Sequence, residues 1–163
     1  MNETQPNFDI KKYLGKWYEV GKYPNPWETD CPLSTAQYTW LPDVRQILVL
    51  NSCLDMDRKV IRESVGIARI PNPNDPSKLK VKFMDSFSEP KKLYESPYEG
   101  DYYVHWTDYD HFSIVGGPTG KFLWILSRQP RISAADAQFL LNKAKTFGYN
   151  IDKVLTNVTV VYK

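Results

Sequence analysis

The sequence predicts an all-β fold: an eight-stranded antiparallel up-and-down barrel, followed by one C-terminal amphipathic helix and a final short strand. Three observations support this prediction. The 12 prolines mark connections between short runs that are rich in β-branched and aromatic residues. Only one segment, late in the chain, has helical periodicity. No linker or internal repeat divides residues 1–163, which we expect to form a single domain.

The predicted strands follow the proline-free runs, and two of them show which side chains share a face. "KLKVKF" (78–83) alternates three lysines with Leu, Val and Phe. "RESVGIAR" (62–69) places Ser64, Gly66 and Ala68 on one face, and side chains this small leave room inside a barrel of eight strands. A closed barrel of consecutive strands also removes exposed sheet edges. The predicted strands cover residues 15–23, 35–41, 45–54, 59–70, 78–85, 100–107, 111–116, 120–127 and 157–162.

The predicted helix is the segment "SAADAQFLLNKAKTFG" (133–148). Ser133 is placed to cap its N-terminus, Asp136 follows three residues later, and Gly148 ends it. Lys143 and Lys145 lie near its C-terminus, where positive charges interact favourably with the helix dipole. We expect one face of this helix to pack on the sheet through Phe139, Leu140, Ala144 and Phe147.

The charge and apolar content limit the classes of partner. The chain has 21 basic and 19 acidic residues, a formal net charge of +2, so we expect no binding to nucleic acid. The longest apolar run, around "QILVL", is far too short to cross a membrane as a helix. The N-terminal "MNETQPNFDIKK" is polar, which leaves either a cytoplasmic protein or one whose leader has been removed.

The two cysteines, Cys31 and Cys53, flank the predicted hairpin of strands 35–41 and 45–54. Antiparallel pairing about position 42 brings them nearly opposite one another, at the separation that a disulfide requires. Two free buried thiols are the alternative. A disulfide indicates an oxidising compartment, so we expect a secreted or periplasmic protein, while a cytoplasmic location stays open.

The sequence has no pattern that favours catalysis. It contains neither a glycine-rich phosphate loop nor a nucleophile motif. His105 and His111 lie on either side of the 107–110 turn, close to Asp108 and Asp110, but their spacing is not that of a metal site. We therefore expect a protein that is not an enzyme and that needs no metal or cofactor.

Three separated motifs carry a resemblance to a known family. "GKWY" (15–18) begins the first strand, "TDYD" (107–110) connects two middle strands, and "LWILSRQP" (123–130) leads from the last barrel strand toward the helix. Together, in this order, they resemble the lipocalin family, and within it the branch of apolipoprotein D and the bacterial outer-membrane lipocalins. The resemblance extends from about Phe8 to Tyr162.

The resemblance implies structural roles at the closed end of the barrel. Trp17 is expected to pack at the floor, with Arg128 over its ring in a cation–π contact worth about 0.5–2 kcal/mol. Gly15 then provides the bend that turns the chain into the barrel. Thr107 and Asp108 belong to the turn of the second motif.

Alternation along each strand predicts which side chains form the inner wall, once one inward residue is known. Trp17 and Trp124 serve as these reference residues, and the resemblance implies that Trp124 points inward. A mostly apolar wall with a few polar groups is typical of small-molecule pockets. Each residue alone is equally compatible with ordinary core packing, and a register shift of one residue turns a strand's set outward. We expect ligand contacts from Tyr38, Val49, Asn51, Gly66, Ala68, Phe83, Phe87, Tyr94, Tyr102, Val104 and Trp124.

The loops at the open end contain aromatic and basic residues. Trp27 lies in the loop 24–32, and Phe87 and Tyr94 lie beside Lys91 and Lys92 in the segment 85–100. Exposed rings at this rim either gate ligand entry or contact a membrane surface peripherally. The two lysines either pair with an acidic head group or are ordinary solvated loop residues.

The resemblance implies binding of one small lipophilic ligand, a fatty acid, lysophospholipid or sterol-like compound, for transport or scavenging. One alternative is an enzyme that acts on a lipid in the same cavity. It requires a titratable group inside, such as Glu19, Asp85 or an inward histidine with a shifted pKa. The other alternative is a filled barrel whose rim loops bind a protein, with Trp27 covered in the complex.

Overall fold

The chain folds into a closed barrel of eight antiparallel strands, as the sequence predicts. The computed structural model describes residues 1–84, 99–156 and 160–161. The barrel strands are β1 (Gly15–Lys22), β2 (Leu33–Leu41), β3 (Gln46–Leu54), β4 (Val60–Arg69), β5 (Lys78–Met84), β6 (Gly100–Thr107), β7 (Phe112–Gly116) and β8 (Leu123–Ser127). Each strand pairs with the next along the chain, and β8 pairs back with β1 to close the sheet.

Shorter elements lie outside the barrel. They are helix α1 (Ile10–Tyr13), β9 (Ile132–Ser133), helix α2 (Ala134–Thr146), a 3₁₀ turn (Ile151–Lys153), β10 (Leu155–Thr156) and β11 (Val160–Val161). β10 pairs with the end of β1, and β11 pairs in parallel with β9. The predicted final strand 157–162 contains β11, while 157–159 and 162 lie outside the described residues. The sequence pattern does not predict α1, β9 or β10, because two to four residues are too few to show a period.

The barrel strands begin and end within three residues of their predicted limits. The largest difference is at β8, which begins at Leu123 and not at residue 120. Gly120 has a φ of +73°, in the left-handed region that favours glycine, and it belongs to the turn that precedes the strand.

Helix α2 is capped as its sequence predicts. The Ser133 hydroxyl accepts a hydrogen bond from the Asp136 backbone N–H at 3.1 Å. Gly148 follows the last turn with a φ of +100° and ends the helix. Leu140 and Ala144 are buried, whereas Phe139 is 43 % exposed and contacts Trp106 edge-on. The predicted apolar face is therefore in contact with the barrel, with Phe139 at its margin.

Among the described residues, apolar side chains form two cores, one on each side of the barrel wall. The inner core fills the interior near the closed end and includes Trp17 and Tyr38. The outer core lies between α2 and the outer face of β1, β7 and β8. Strand β1 contributes to both cores, and its register against β8 shifts between Glu19 and Gly21. Val20 packs in the outer core, whereas Lys22, after the shift, lies opposite the inner residue Trp124.

Among the described residues, no helix combines the length and apolarity needed to span a membrane.

Candidate ligand-binding site

The strand register defines the inner wall of the barrel. In one row Tyr38, Val49, Gly66 and Phe83 are successive partners across β2 to β5. Residues directly opposite one another share a face of a sheet, so this row lines the interior with buried Tyr38 and Val49. The neighbouring rows are Trp17, Ala36, Asn51 and Ser64 on one side, and Trp40, Ile47, Ala68 and Val81 on the other.

The interior differs between its two ends. Near the closed end, where β2 ends and β3 begins, Ile47 and Ala68 are 1 % and 2 % exposed. Toward the far end, where β3 ends and β4 begins, Asn51 is partly exposed and Ser64 is exposed, although both lie on the inner face. Solvent therefore reaches the inner wall from the far end.

Phe83 lies on this accessible part of the wall and is 43 % exposed. Its ring covers Gly66: a Cβ on that glycine would approach the Phe83 ring to 2.9 Å. The absence of a side chain at Gly66 thus gives the ring its position. Tyr102 and Trp124 are also partly buried inner residues, and Val104 is fully buried.

Two of the expected ligand contacts, Phe87 and Tyr94, lie outside the described residues, as do Asp85, Lys91 and Lys92. The other nine are all on or beside the inner wall of β2 to β6 and β8. Their role in binding a ligand stays a prediction.

At the closed end, the chain crosses the barrel floor through α1 before it enters β1. Gly15 has a φ of +97°, a conformation that side-chain-bearing residues rarely adopt. Trp17 is completely buried, and its ring N–H donates to the Tyr13 carbonyl at 2.9 Å. The bend at Gly15 therefore carries the indole into the barrel and leaves its one polar atom hydrogen-bonded.

Arg128 lies over the Trp17 ring, with its guanidinium carbon 3.7 Å from the ring centre. The same guanidinium donates to four backbone carbonyls. Tyr109 O accepts from Nε at 2.9 Å, Lys16 O from Nη1 at 2.9 Å, and Lys12 O and Tyr13 O from Nη2 at 3.2 and 3.1 Å. One side chain from the third motif thus joins the first motif and the 107–110 turn.

The 107–110 turn is held by its own side chains. The Thr107 hydroxyl donates to the Phe112 carbonyl at 2.8 Å and accepts from the Tyr109 N–H at 2.9 Å. One Asp108 oxygen accepts from the backbone N–H groups of His111 and Phe112. Thr107 and Asp108 therefore stabilise the turn through hydrogen bonds to its backbone.

Four hydroxyl groups form a chain across the floor of the interior. The Tyr13 oxygen lies 2.8 Å from Ser113 Oγ and 3.0 Å from the Tyr102 oxygen, which lies 2.8 Å from the Tyr38 oxygen. Burial raises the pKa of Tyr13 to about 12, and it also raises the pKa values of Tyr38 and Tyr102. All three phenols are therefore neutral at physiological pH.

A second polar cluster lies higher in the barrel, around two carboxyl groups. Glu28 folds inward from the 23–32 loop and accepts hydrogen bonds from the Trp124 ring N–H and the Asn25 amide, at 2.9 and 2.8 Å. Lys22 Nζ lies 3.4 Å from Glu28 and 3.6 Å from Glu19. These contacts bring a loop residue to the inner side of β1 and β8.

The two carboxyl groups of this cluster have opposite pKa shifts. Burial, together with the nearby Glu28 charge, raises the pKa of Glu19 well above its ordinary value. Burial also acts against ionisation of Glu28, but hydrogen bonds from Glu19, Trp124 and Asn25 and the charge of Lys22 lower its pKa to about 2. The opposite shifts favour the proton on Glu19 and the negative charge on Glu28.

An aromatic stack runs from the far end to this cluster. The Trp27 and Phe122 ring centres are 5.1 Å apart, and the Phe122 and Trp124 centres are 5.8 Å apart with nearly parallel rings. Trp27 is 58 % exposed, as expected for a loop residue. Phe122, which the sequence pattern does not single out, connects it to the inner wall.

The disulfide Cys31–Cys53 is present, with a Cα–Cα distance of 5.2 Å. The predicted register is wrong, however, because Ser34 and not Cys31 lies opposite Cys53. The β2–β3 pairing is centred nearer residue 43.5 than 42, and Cys31 reaches its partner from the loop before β2. The disulfide therefore holds the loop that carries Glu28.

The two histidines have separate, structural surroundings. His105 is buried on the outer side of β6, with Nδ1 2.6 Å from the Glu3 carbonyl and Nε2 2.7 Å from the Tyr149 hydroxyl. His111 is exposed and pairs with Asp108 in the turn. Within residues 1–84, 99–156 and 160–161, no three His, Cys, Asp or Glu side chains are arranged to hold a metal ion.

Like Phe122, three polar residues of the hydroxyl chain and the carboxyl cluster are not predicted by sequence reasoning. Tyr13 precedes the first strand, Glu28 lies in a loop, and Ser113 is a small polar residue in an apolar strand. A signal exists only for Tyr13, because it lies two residues before the bend at Gly15. The other two reach the interior through long-range contacts that no local pattern records.

A barrel with a closed floor, an accessible inner wall and a helix packed on its outside is the architecture of a calyx-shaped binding protein. Comparison with known proteins makes the assignment specific. A family model of the lipocalin-like domain matches residues 8–159. The chain belongs to the lipocalin family, whose members bind small hydrophobic ligands.

Sequence relatives cover most of the chain. It is 32 % identical over 154 residues to temperature-induced lipocalin-1 of Arabidopsis thaliana, covering 93 % of this chain and 80 % of that one. It is 33 % identical over 150 residues to the outer membrane lipoprotein Blc of Citrobacter freundii, covering 91 % and 78 %. It is 31 % identical over 160 residues to apolipoprotein D of Mus musculus, covering 94 % and 78 %.

Solved structures agree in fold at lower identity. Insecticyanin from the tobacco hornworm Manduca sexta superposes with a TM-score of 0.70 at 19 % identity, over 98 % of this chain and 90 % of that one. Lobster apocrustacyanin A1 superposes with a TM-score of 0.68 at 16 % identity, over 93 % and 79 %.

Proposed function

We propose that this protein binds one small lipophilic molecule inside its barrel, as a carrier or scavenger of a fatty acid, lysophospholipid or sterol-like compound. The observation that carries the proposal is the accessible inner wall toward the far end. There Ser64 and Phe83 lie on the inner face of the sheet and are exposed. The relatives named as lipoproteins support the ligand class.

The chemistry of this wall suits an amphiphile. Phe83 and Trp124 offer apolar surface, and each buried CH₂ of an acyl chain contributes about 0.8 kcal/mol. Asn51 and Ser64 add uncharged polar groups on the same face. A head group that stays near the far end keeps its hydration, so only the apolar part of the ligand is desolvated. Phe87 and Tyr94 remain predicted contacts.

A tryptophan-fluorescence titration with fatty acids, lysophospholipids and sterols tests the proposal. Ser64→Phe fills the inner wall, and Val65→Phe places the same ring on the opposite face of the same strand. We expect saturable one-to-one binding to the wild type, at least tenfold weaker binding to Ser64→Phe, and a change of less than about twofold for Val65→Phe. A lack of response to every lipid, or equal binding by both variants, contradicts the proposal.

We also infer an oxidising compartment, secreted or periplasmic, because the Cys31–Cys53 disulfide persists only where thiols are not kept reduced. Thiol counting of the protein isolated from its source, without and with reductant, tests this. The expected result is no free thiol before reduction and two after it. Two free thiols in the isolated protein contradict the inference.

Exposed apolar side chains at the far end support peripheral contact with a membrane surface. Trp27, Met56, Val60 and Ile61 are 58, 58, 57 and 50 % exposed. Vesicle co-sedimentation tests this contact, with Trp27→Ser and Met56→Ser combined in one variant. Val44→Ser is the matched control, because Val44 is 57 % exposed but lies at the closed end. The combined variant should bind less than the control, and equal binding contradicts the contact.

The pair Glu19 and Glu28 favours one alternative, an enzyme that acts on a lipid. Two adjacent carboxyl groups with opposite pKa shifts are a common arrangement for acid–base catalysis. Mass spectrometry of lipids incubated with the protein tests it. Catalysis predicts a product that disappears in Glu19→Gln while lipid binding remains. Recovery of every bound lipid unchanged rejects this alternative.

A further inference from the structure

The hydroxyl chain on the barrel floor has one proton more than its own contacts use. Ser113, Tyr13, Tyr102 and Tyr38 each contribute one O–H group, and the chain contains three O–O contacts. Each contact uses one proton, whichever atom donates. Within the described part of the chain, these four hydroxyl oxygens make no other hydrogen bond, so one proton remains at an end of the chain.

The two ends of the chain differ in their surroundings. Ser113 is completely buried, and leaving its proton without an acceptor is costly. The other end consists of Tyr38 and Tyr102, whose oxygens are 2.8 Å apart. Tyr102 is only partly buried and lies on the inner face of the barrel wall, whereas Ser113 has no exposed surface. An acceptor that enters from the far end can therefore reach this pair and not Ser113.

The direction of the chain follows from this difference. When Ser113 donates to Tyr13, Tyr13 to Tyr102 and Tyr102 to Tyr38, every buried proton except that of Tyr38 is used. The Tyr38 hydroxyl then donates to whatever occupies the adjoining space. The Tyr102 oxygen, which accepts one bond and donates one, can accept one further hydrogen bond. The pair thus offers one donor and one acceptor.

We propose that Tyr38 and Tyr102 form an oxygen-binding subsite at the inner end of the cavity, selecting lipophilic ligands whose buried end carries an uncharged oxygen, best a hydroxyl. A hydroxyl both accepts from Tyr38 and donates to Tyr102. A ligand whose buried end is a methyl group leaves the Tyr38 proton without an acceptor. The inference rests on the proposed lipid-binding function and adds a rule for which lipids bind best. The neutral state of all three phenols favours an uncharged partner over a carboxylate.

The test compares hexadecanoate with 16-hydroxyhexadecanoate. In an ordinary apolar pocket the terminal hydroxyl weakens binding about tenfold or more, because it loses its water. We expect the wild type to bind the two ligands equally, or the hydroxylated one more tightly. The double variant Tyr38→Phe/Tyr102→Phe should restore the tenfold preference for hexadecanoate. Both oxygens are removed together because removing one alone leaves the other phenol with a free O–H. In the double variant the spare proton belongs to Tyr13 or Ser113, which are both buried.

The matched control is Tyr18→Phe/Tyr103→Phe, which removes two phenol oxygens from the outer face of β1 and β6. Its ligand preference should equal that of the wild type. A second comparison needs no variant: 8-hydroxyhexadecanoate carries its hydroxyl beside apolar wall, so the wild type should bind it at least tenfold more weakly than the 16-hydroxy ligand. This comparison of the 8-hydroxy and 16-hydroxy ligands tests the subsite even if the double variant does not fold.

The outcomes separate the two proposals. Binding of hexadecanoate with a tenfold penalty for the 16-hydroxy ligand in the wild type overturns the subsite and leaves lipid binding intact. An equal preference in wild type and double variant also overturns it, because the terminal oxygen then lies outside the phenol pair. Binding of neither ligand, nor of any other lipid, overturns the proposed function and the subsite together.

Discussion

Replacing Arg128 with methionine removes the guanidinium from the closed end but keeps an unbranched side chain over Trp17. The wild-type group lies 3.7 Å from the ring centre and donates to four carbonyls. Two of these carbonyls, of Lys12 and Lys16, are at the surface and regain hydrogen bonds to water. The bonds to the Tyr109 and Tyr13 carbonyls are partly buried, so their loss is only partly compensated.

The magnitude follows from these contacts. The cation–π contact contributes about 0.5–2 kcal/mol. Two partly buried hydrogen bonds from a charged donor contribute about 1.5–3 kcal/mol each before water compensates part of the loss. We therefore expect Arg128→Met to lower the free energy of unfolding by about 3–5 kcal/mol. For a chain of this size, about 2–4 °C of melting temperature corresponds to each kcal/mol.

Urea unfolding followed by circular dichroism measures this change through the transition midpoint. Arg131→Met is the control, because Arg131 is exposed, and it should change stability by less than about 0.5 kcal/mol. Arg128→Lys keeps the charge but not the planar fork, so an intermediate loss is expected. A loss below about 1 kcal/mol in Arg128→Met would refute the reasoning that this side chain joins the three motifs.

Three further predictions concern other parts of the fold. Gly116→Ala should lower the melting temperature by about 5 °C or more, since its new Cβ would collide with the Tyr149 hydroxyl; a smaller shift contradicts this packing. Replacing Cys31 and Cys53 by alanine should cost about 3 kcal/mol in urea unfolding, from the entropy of a 22-residue loop; an unchanged midpoint contradicts it. Burial lowers the pKa of His105 below 6.5, so the unfolded state binds more protons. Stability should fall as pH drops below 6.5, and His105→Phe should flatten that dependence; equal slopes contradict it.

Local sequence patterns predicted most of the barrel. Alternation depends only on neighbouring residues, so it identified the inner faces of "RESVGIAR" and "KLKVKF" before any strand pairing was known. The helix cap at Ser133 and its end at Gly148 are equally local. The three motifs placed Trp17 and Arg128 together, because a resemblance carries long-range information that composition does not.

Tertiary structure decided the features that depend on closure of the barrel. The shift between Glu19 and Gly21 returns Lys22 to the inner face, and simple alternation does not predict it. Glu28 reaches Trp124 across 96 residues of chain only because the 23–32 loop folds inward. The opposite pKa shifts of Glu19 and Glu28 depend on burial and on the interactions that this inward loop creates.

The sequence by itself determined the fold class and the inner faces of the strands, because each follows from short-range patterns. Only the tertiary structure brought Tyr13, Tyr38, Tyr102 and Ser113 into one hydroxyl chain, since they lie on four elements separated by up to 100 residues. Hydrogen bonds of this kind are directional and short, so an error of one residue in register abolishes them. The apolar wall tolerates small displacements of its side chains far better, because burial of apolar surface has no preferred direction.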